Sequence, residues 1–224
     1  PVEFTAEISN HQQCFETNDA AITITDVRGG SGNYTYTLTG PTSRFGNVNQ
    51  IPFAIENLPP GEYELSIKDS NQCSTDSVFK EKINSVDQIA HSGVSILPPG
   101  APGASDARII VSAIFGGTPI DDDIGPDEYD YKLYDNPNYT GTPKTGRFEV
   151  NSVGVIYDLK AGTYSIEYED ANGCTRRYDN FVTIEDPDPI DFDIAVNRNC
   201  NDARNGNITV SNIRGGYPRL NGTY

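Results

Sequence analysis

The chain has 224 residues, a net charge of −16 and a hydrophobic fraction of 36%. No apolar run approaches the roughly 20 residues of a membrane-spanning helix, and so acidic a surface repels phosphate backbones and anionic lipids. The composition therefore argues against membrane insertion and against nucleic acid as a partner.

The apolar residues come as short runs of Val, Ile, Leu, Tyr and Phe, with Thr, Asn, Gly, Asp and Pro between them. That composition fits an all-β chain with many turns. The chain opens on Pro1 rather than Met and reads as a piece of a longer protein. In chain order, alternation of apolar and polar residues predicts strands over 4–8, 21–27, 34–39, 53–55, 63–69 and 77–83.

The second of these strands lies in AAITITDVRGG (20–30), which returns as ARIIVSAIFGG (107–117) and as GNITVSNIRGG (206–216). Ile22 aligns with Ile109 and Ile208, and Gly29 aligns with Gly116 and Gly215. YTYTL (34–38) matches YDYKL (129–133), and LPPGEYELSIKDSNQC (58–73) matches LKAGTYSIEYEDANGC (159–174) without a gap. PVEF (1–4) resembles PIDF (189–192). The chain is thus a tandem array. Residues 1–84 form one repeat, and 85–188 form a second with an acidic insertion at 120–128. Residues 189–224 form the N-terminal part of a third.

Six or seven short strands per repeat, without a helical period, predict tandem Ig-like β-sandwiches in an extended array. Asp-Pro-Asp-Pro at 186–189 would stiffen the second junction, because each Pro fixes its own φ and restricts its predecessor. L-x-x-G-x-Y is the sequence of a tyrosine corner. It is carried by Leu58, Gly61 and Tyr63, and again by Leu159, Gly162 and Tyr164. Both sets read as structural.

Enzyme signatures are absent, and neither His11 nor His91 belongs to a metal-spaced pair. The expectation is a non-enzymatic protein without an obligatory cofactor. Two acidic clusters raise calcium as a candidate ligand, since calcium takes six to eight hard oxygens. One contains Asp121, Asp122, Asp123 and Asp127, with Glu128 and Asp130 beside them. The other, at the second junction, contains Asp186, Asp188 and Asp191, with Glu185 and Asp193. Tyr131, Tyr134 and Tyr139 lie close enough in sequence to suggest a stacking platform for sugar.

The order Cys, G-x-I-x-V, Gly-Gly, Y-x-Y, L-x-x-G-x-Y and D-x-x-G-C resembles the SprB repeat of Bacteroidetes surface proteins. Cys200, Gly206, Ile208, Val210, Gly215 and Gly216 carry the opening of the pattern, and Asp170, Asn172, Gly173 and Cys174 carry its end. The resemblance implies a long filamentous adhesin, secreted by the type IX system to the exterior of the outer membrane. There it would be moved by gliding machinery and would grip a substratum. Its partners would be neighbouring repeats of the same chain, that machinery, and a surface polysaccharide or the substratum itself. The alternative is a carbohydrate-binding module of a secreted multidomain protein. Asp76-Ser77-Val78 also resembles an O-glycosylation tripeptide of the same phylum.

Cys14 and Cys73 both recur in the pattern, and export implies an oxidising environment. A Cys14–Cys73 disulfide is therefore expected, worth about 4 kcal/mol in the chain-entropy model. Ala101 stands at the Cys14 position of the second repeat. Cys174 is then expected as a free thiol, with a Cys174–Cys200 bridge as the alternative, and the partner of Cys200 is expected after Tyr224.

Overall fold

The computed structural model describes residues 2–75, 78–121, 123, 125–197 and 206–217. Among these every regular element is a strand. The residues group into two compact units. One comprises Pro1–Ala90, Gly116–Gly125 and Glu169–Arg176, and the other His91–Phe115, Pro126–Tyr168 and Arg177–Tyr224.

The first unit contains a complete sandwich. Strands β1 (Val2–Asn10), β2 (Ala20–Gly29) and β5 (Phe53–Leu58) form one sheet in the order β1-β2-β5. Strands β3 (Tyr34–Thr39), β4 (Arg44–Val48), β6 (Gly61–Lys68) and β7 (Phe79–Ile83) form the other, in the order β4-β3-β6-β7. All the pairings are antiparallel. This is the two-sheet plan of an Ig-like domain.

Side-chain alternation explains the packing. In β6 Tyr63, Leu65 and Ile67 are buried while Glu62 and Glu64 face out. In β2 Ala20, Ile22 and Ile24 are buried. These residues meet Tyr36, Leu38, Ile55, Leu58 and Ile83 in one core drawn from both sheets. The sequence pattern missed β4, because RFGNV alternates poorly and leaves Phe45 exposed. Its register against β3 is nevertheless regular, from Tyr34↔Val48 to Leu38↔Arg44.

The strand order repeats along the rest of the chain. Strands β8 (Ala90–Leu97), β9 (Ala107–Phe115) and β12 (Gly154–Leu159) form a sheet in the order β12-β9-β8. Strands β10 (Glu128–Tyr134), β11 (Lys144–Glu149), β13 (Gly162–Glu169) and β14 (Thr175–Ile184) form a second, in the order β11-β10-β13-β14. The chain is all-β with an Ig-like arrangement of sheets. Here β13 departs from β6: Ser165 and Glu167, on the face that is polar and open in β6, are buried as deeply as Ile166. Glu167 is held by Lys132 (3.2 Å) and Arg177, and Ser165 Oγ accepts the Asn180 N–H at 3.1 Å.

Strands β15 (Asp191–Asn197) and β16 (Asn207–Arg214) form an antiparallel hairpin with Ile194 opposite Val210 and Val196 opposite Ile208. It repeats the apolar pattern of β1 and β2, yet every residue of both strands is exposed, Ile208 at 69%. An isolated hairpin is marginally stable at best. Deleting residues 189–224 should therefore shift the melting temperature of the remaining chain by less than about 2 °C, as calorimetry would read it. A larger drop would mean that the hairpin supports the sandwiches.

Candidate functional site

A polar feature written into both repeats is a buried carboxylate under a cysteine turn. Asp69, at the end of β6, is 2% exposed. Its Oδ1 accepts the N–H groups of Asn71 and Cys73, each at 2.9 Å. Its Oδ2 accepts the Ser31 N–H at 3.0 Å and the Ser31 hydroxyl at 3.1 Å. Asp170 repeats the arrangement: Oδ1 accepts from Asn172 (3.0 Å) and Cys174 (2.9 Å), and Oδ2 from the Thr118 N–H (2.9 Å). In both copies the aspartate N–H donates to the cysteine carbonyl at 3.1 Å. The carboxylate thus clamps the turn D-x-x-x-C to the Gly-Gly turn.

Clamping requires close approach. Gly30 (φ +67°) and Gly117 (φ +58°) sit in the left-handed region. A Cβ on Gly30 would lie 2.8 Å from Asp69 Oδ2, and one on Gly117 would lie 2.7 Å from Asp170 Oδ2. Burial raises the Asp69 carboxyl, but the donors from Ser31, Cys73 and Asn71 outweigh it and hold the group below its ordinary 3.8. Sequence reading did not single out either aspartate for a role. The available signal was their shared offset, four residues before cysteine in both copies.

The cysteines correct the expected pairing. Cys14 is bonded to Cys174, with Cα atoms 5.5 Å apart, and Cys73 is a free, exposed cysteine. The expected Cys14–Cys73 bridge is therefore absent, and Cys174 is not a free thiol. The reason lies in the topology. Cys14 follows β1, at the end of the sheet where Asn10 pairs with Ala21. Cys73 follows β6, whose Lys68 pairs with Thr35 beside the Gly-Gly turn, at the opposite end of β2. Ten residues of β2 separate the two ends, roughly 30 Å at the rise of a strand. Cys200 lies outside the described residues, as do Asp76 and Ser77 of the glycosylation tripeptide.

The Cys14 loop is itself organised. Gln12, 5% exposed, donates from Nε2 to the Thr17 carbonyl at 2.8 Å, and its Oε1 accepts the Val86 N–H at 2.8 Å. Asp19 Oδ1 accepts the Gln13 N–H at 3.1 Å, and the Thr17 N–H closes a turn on the Cys14 carbonyl at 3.2 Å. Asn172 Nδ2 donates across to the Gln13 carbonyl at 3.4 Å. The cystine, Asp170, Gly117 and the Cys14 loop all belong to the first unit.

The tyrosine corners have the expected bonds. Tyr63 donates to the Pro59 carbonyl at 2.9 Å, and Tyr164 to the Lys160 carbonyl at 3.0 Å. Leu58 and Leu159 are buried beneath them. At Gly61 an added Cβ would run into Pro41, whereas at Gly162 the nearest atom is 3.8 Å away on Tyr164. Tyr63→Phe should cost about 1 kcal/mol, since it removes the bond to Pro59, and Tyr164→Phe about 1–2 kcal/mol, since the Tyr164 hydroxyl also accepts the Lys160 N–H at 3.3 Å. Urea unfolding reads this, and a loss below a few tenths would show that the corners are dispensable.

The acidic clusters are largely engaged with cations and amides. Glu128 and Asp130 pair with Arg147 at 3.1 and 2.9 Å. Asp191 pairs with Arg214, and Asp193 lies 3.7 Å from the same guanidinium. Asp186 accepts the Gly103 N–H at 3.1 Å. Asp121 caps the Asp123 N–H at 3.0 Å. The Asp127 and Asp188 carbonyls accept from Val150 (2.8 Å) and Gly216 (2.7 Å). Asp122 lies outside the described residues. Among the described residues no three His, Cys, Asp or Glu side chains come together as a metal site.

Tyr131 parts from Tyr134 and Tyr139, which stay in contact. Tyr131 is buried and stacks on Phe148 at 4.5 Å. Tyr139 lies under the Arg177 guanidinium at 4.8 Å, meets Tyr134 edge-on at 5.2 Å and donates to Asp179 at 2.8 Å. One face of its ring is thus covered. His91 is enclosed by Tyr168, Tyr178 and Phe181, and burial lowers its pKa. His11 Nδ1 lies 3.4 Å from the Asn84 N–H.

No described helix is long and apolar enough to cross a membrane. No curated protein matches the chain. Among solved structures, a two-domain fibronectin type III segment of chicken tenascin aligns over 78% of this chain and 97% of its own, at 14% identity and a TM-score of 0.29. The family model of the SprB repeat matches residues 7–43, which run from β1 through the Cys14 loop, β2 and the Gly-Gly turn into β3. With that motif set on these strands, residues 7–43 of the chain carry a SprB repeat.

Proposed function

We propose that this chain is a non-enzymatic structural and adhesive segment of a long cell-surface filament, of the kind that gliding bacteria export by type IX secretion and use to grip a substratum. The observation that supports this best is the Cys14–Cys174 bond. It joins the first loop of one sequence repeat to the last turn of the next, in parallel with the peptide chain. A filament pulled at the surface transmits load along its repeats, and such a bond keeps the chain between the cysteines, 160 positions apart, from paying out. At roughly 3.4 Å per residue that is on the order of 500 Å of slack withheld. The buried aspartate clamps serve the same end by fixing the turns that carry the cysteines.

Antibodies against the chain should label intact cells that make it, and deleting its coding sequence should reduce their attachment to a surface. Labelling only after permeabilisation, or unchanged attachment, would contradict the proposal.

A further inference from the structure

Cys73 and Cys174 stand on the same turn, yet only one is bonded. In both copies the cysteine N–H donates to the aspartate Oδ1 at 2.9 Å, and the aspartate N–H donates to the cysteine carbonyl at 3.1 Å. Gln72 occupies the left-handed position that Gly173 occupies in the second copy, at φ +66° against +75°. The frame is therefore preformed around Cys73 without a partner. A second feature is duplicated as well. Asn172 donates its side-chain amide to the Gln13 carbonyl of the bonded loop, and Asn71, exposed, holds the same offset in the first copy.

From this we infer that the Cys73 turn is a docking site for the Cys14-type loop of another repeat, and that it closes there as a disulfide. The first repeat then carries a cysteine loop at one end of its sandwich and a clamped cysteine turn at the other, whereas the second carries the turn with Ala101 at the loop position. Cys14–Cys174 shows the pairing, the loop of one repeat on the turn of another, and Cys73 offers the same turn to a further cysteine-bearing loop. The bond cannot close inside the first sandwich, because β2 holds the two cysteines apart. The idea rests on the chain being one segment of a repeat array.

The bond forms by thiol–disulfide exchange. The Cys73 thiolate attacks the loop cysteine held as a mixed disulfide with glutathione. The new S–S bond joins Cys73 to the loop, and reduced glutathione leaves with the electron pair.

The test uses the full chain carrying Cys200→Ser, so that Cys73 is the remaining thiol beside the intact Cys14–Cys174 bond. A synthetic peptide of residues 10–19 (NHQQCFETND) is equilibrated with it in a glutathione redox buffer. A scrambled peptide with cysteine at the same position is the control. Intact mass gives the linked fraction. The native peptide should link to Cys73 with an equilibrium constant about 10-fold above the scrambled one, and Asn71→Ala should cut that preference about 5-fold, the loss of one hydrogen bond. Equal linkage of the two peptides, or a preference that Asn71→Ala leaves untouched, would overturn the inference. Neither result alters surface labelling of cells, so the two proposals fail separately.

Discussion

Reducing the protein should lower its melting temperature by roughly 10 °C or more. The bond between Cys14 and Cys174 spans 160 residues. In the chain-entropy model, a closure of that length restricts the unfolded chain by about 5 kcal/mol. For a chain of this size each kcal/mol moves the midpoint by about 2–4 °C. Cys14→Ser and Cys174→Ser should each reproduce the effect of reductant, and the double variant should add nothing further. Cys73→Ser should leave the midpoint where it is, because that thiol is free. Differential scanning calorimetry on the four proteins decides it. A drop caused by Cys73→Ser, with Cys174→Ser silent, would contradict the pairing.

The next largest effect is expected at the aspartate clamp. Asp170→Ala removes the acceptor for three backbone N–H groups, on Thr118, Asn172 and Cys174. The site is buried, so water does not readily replace the carboxylate, and the cost should be about 3 kcal/mol. The loss should also expose the cystine, which would then be reduced faster by dithiothreitol. Acid should weaken the equivalent clamp at Asp69. The folded carboxyl holds its proton less tightly than the unfolded one, whose ordinary value is 3.8. Its contribution is thus complete above that value and is lost as the pH falls through the lower folded value. Glu167 adds the same sign. Burial raises it, but Arg177 and Lys132 together hold it below its ordinary 4.5. Stability should be flat from neutral pH down to about 5 and fall steeply below about 4. Asp69→Asn should be less stable at neutral pH and should fall less steeply in acid. An unaltered acid limb in that variant would show that the clamp carries no charge-dependent stability.

Strand positions were legible because a half-buried strand writes itself as alternation. Ile22, Ile24, Tyr63, Leu65 and Ile67 are all inside, as their spacing requires. The corner was legible because Tyr63 and Tyr164 need only local partners, four residues upstream. The cysteine pairing was not legible from recurrence alone. Recurrence shows which positions matter to a repeat, but not which end of the sandwich each occupies. The end follows from strand order, and that order puts one full length of β2 between Cys14 and Cys73. The hairpin of β15 and β16 shows the converse limit. Its alternation matches that of β1 and β2, but burial needs a facing sheet, and among the described residues none covers Ile194 and Val210. The outer face of β13 was hidden for another reason. Glu167 is buried by residues distant in sequence, Lys132 and Arg177, and no short-range pattern signals that.

The most direct measurement is proteolytic mapping of the oxidised protein without reductant. The account predicts one linked pair of peptides, containing Cys14 and Cys174, with Cys73 recovered as a thiol that alkylates before reduction. A linked pair containing Cys14 and Cys73, with Cys174 alkylated instead, would contradict it.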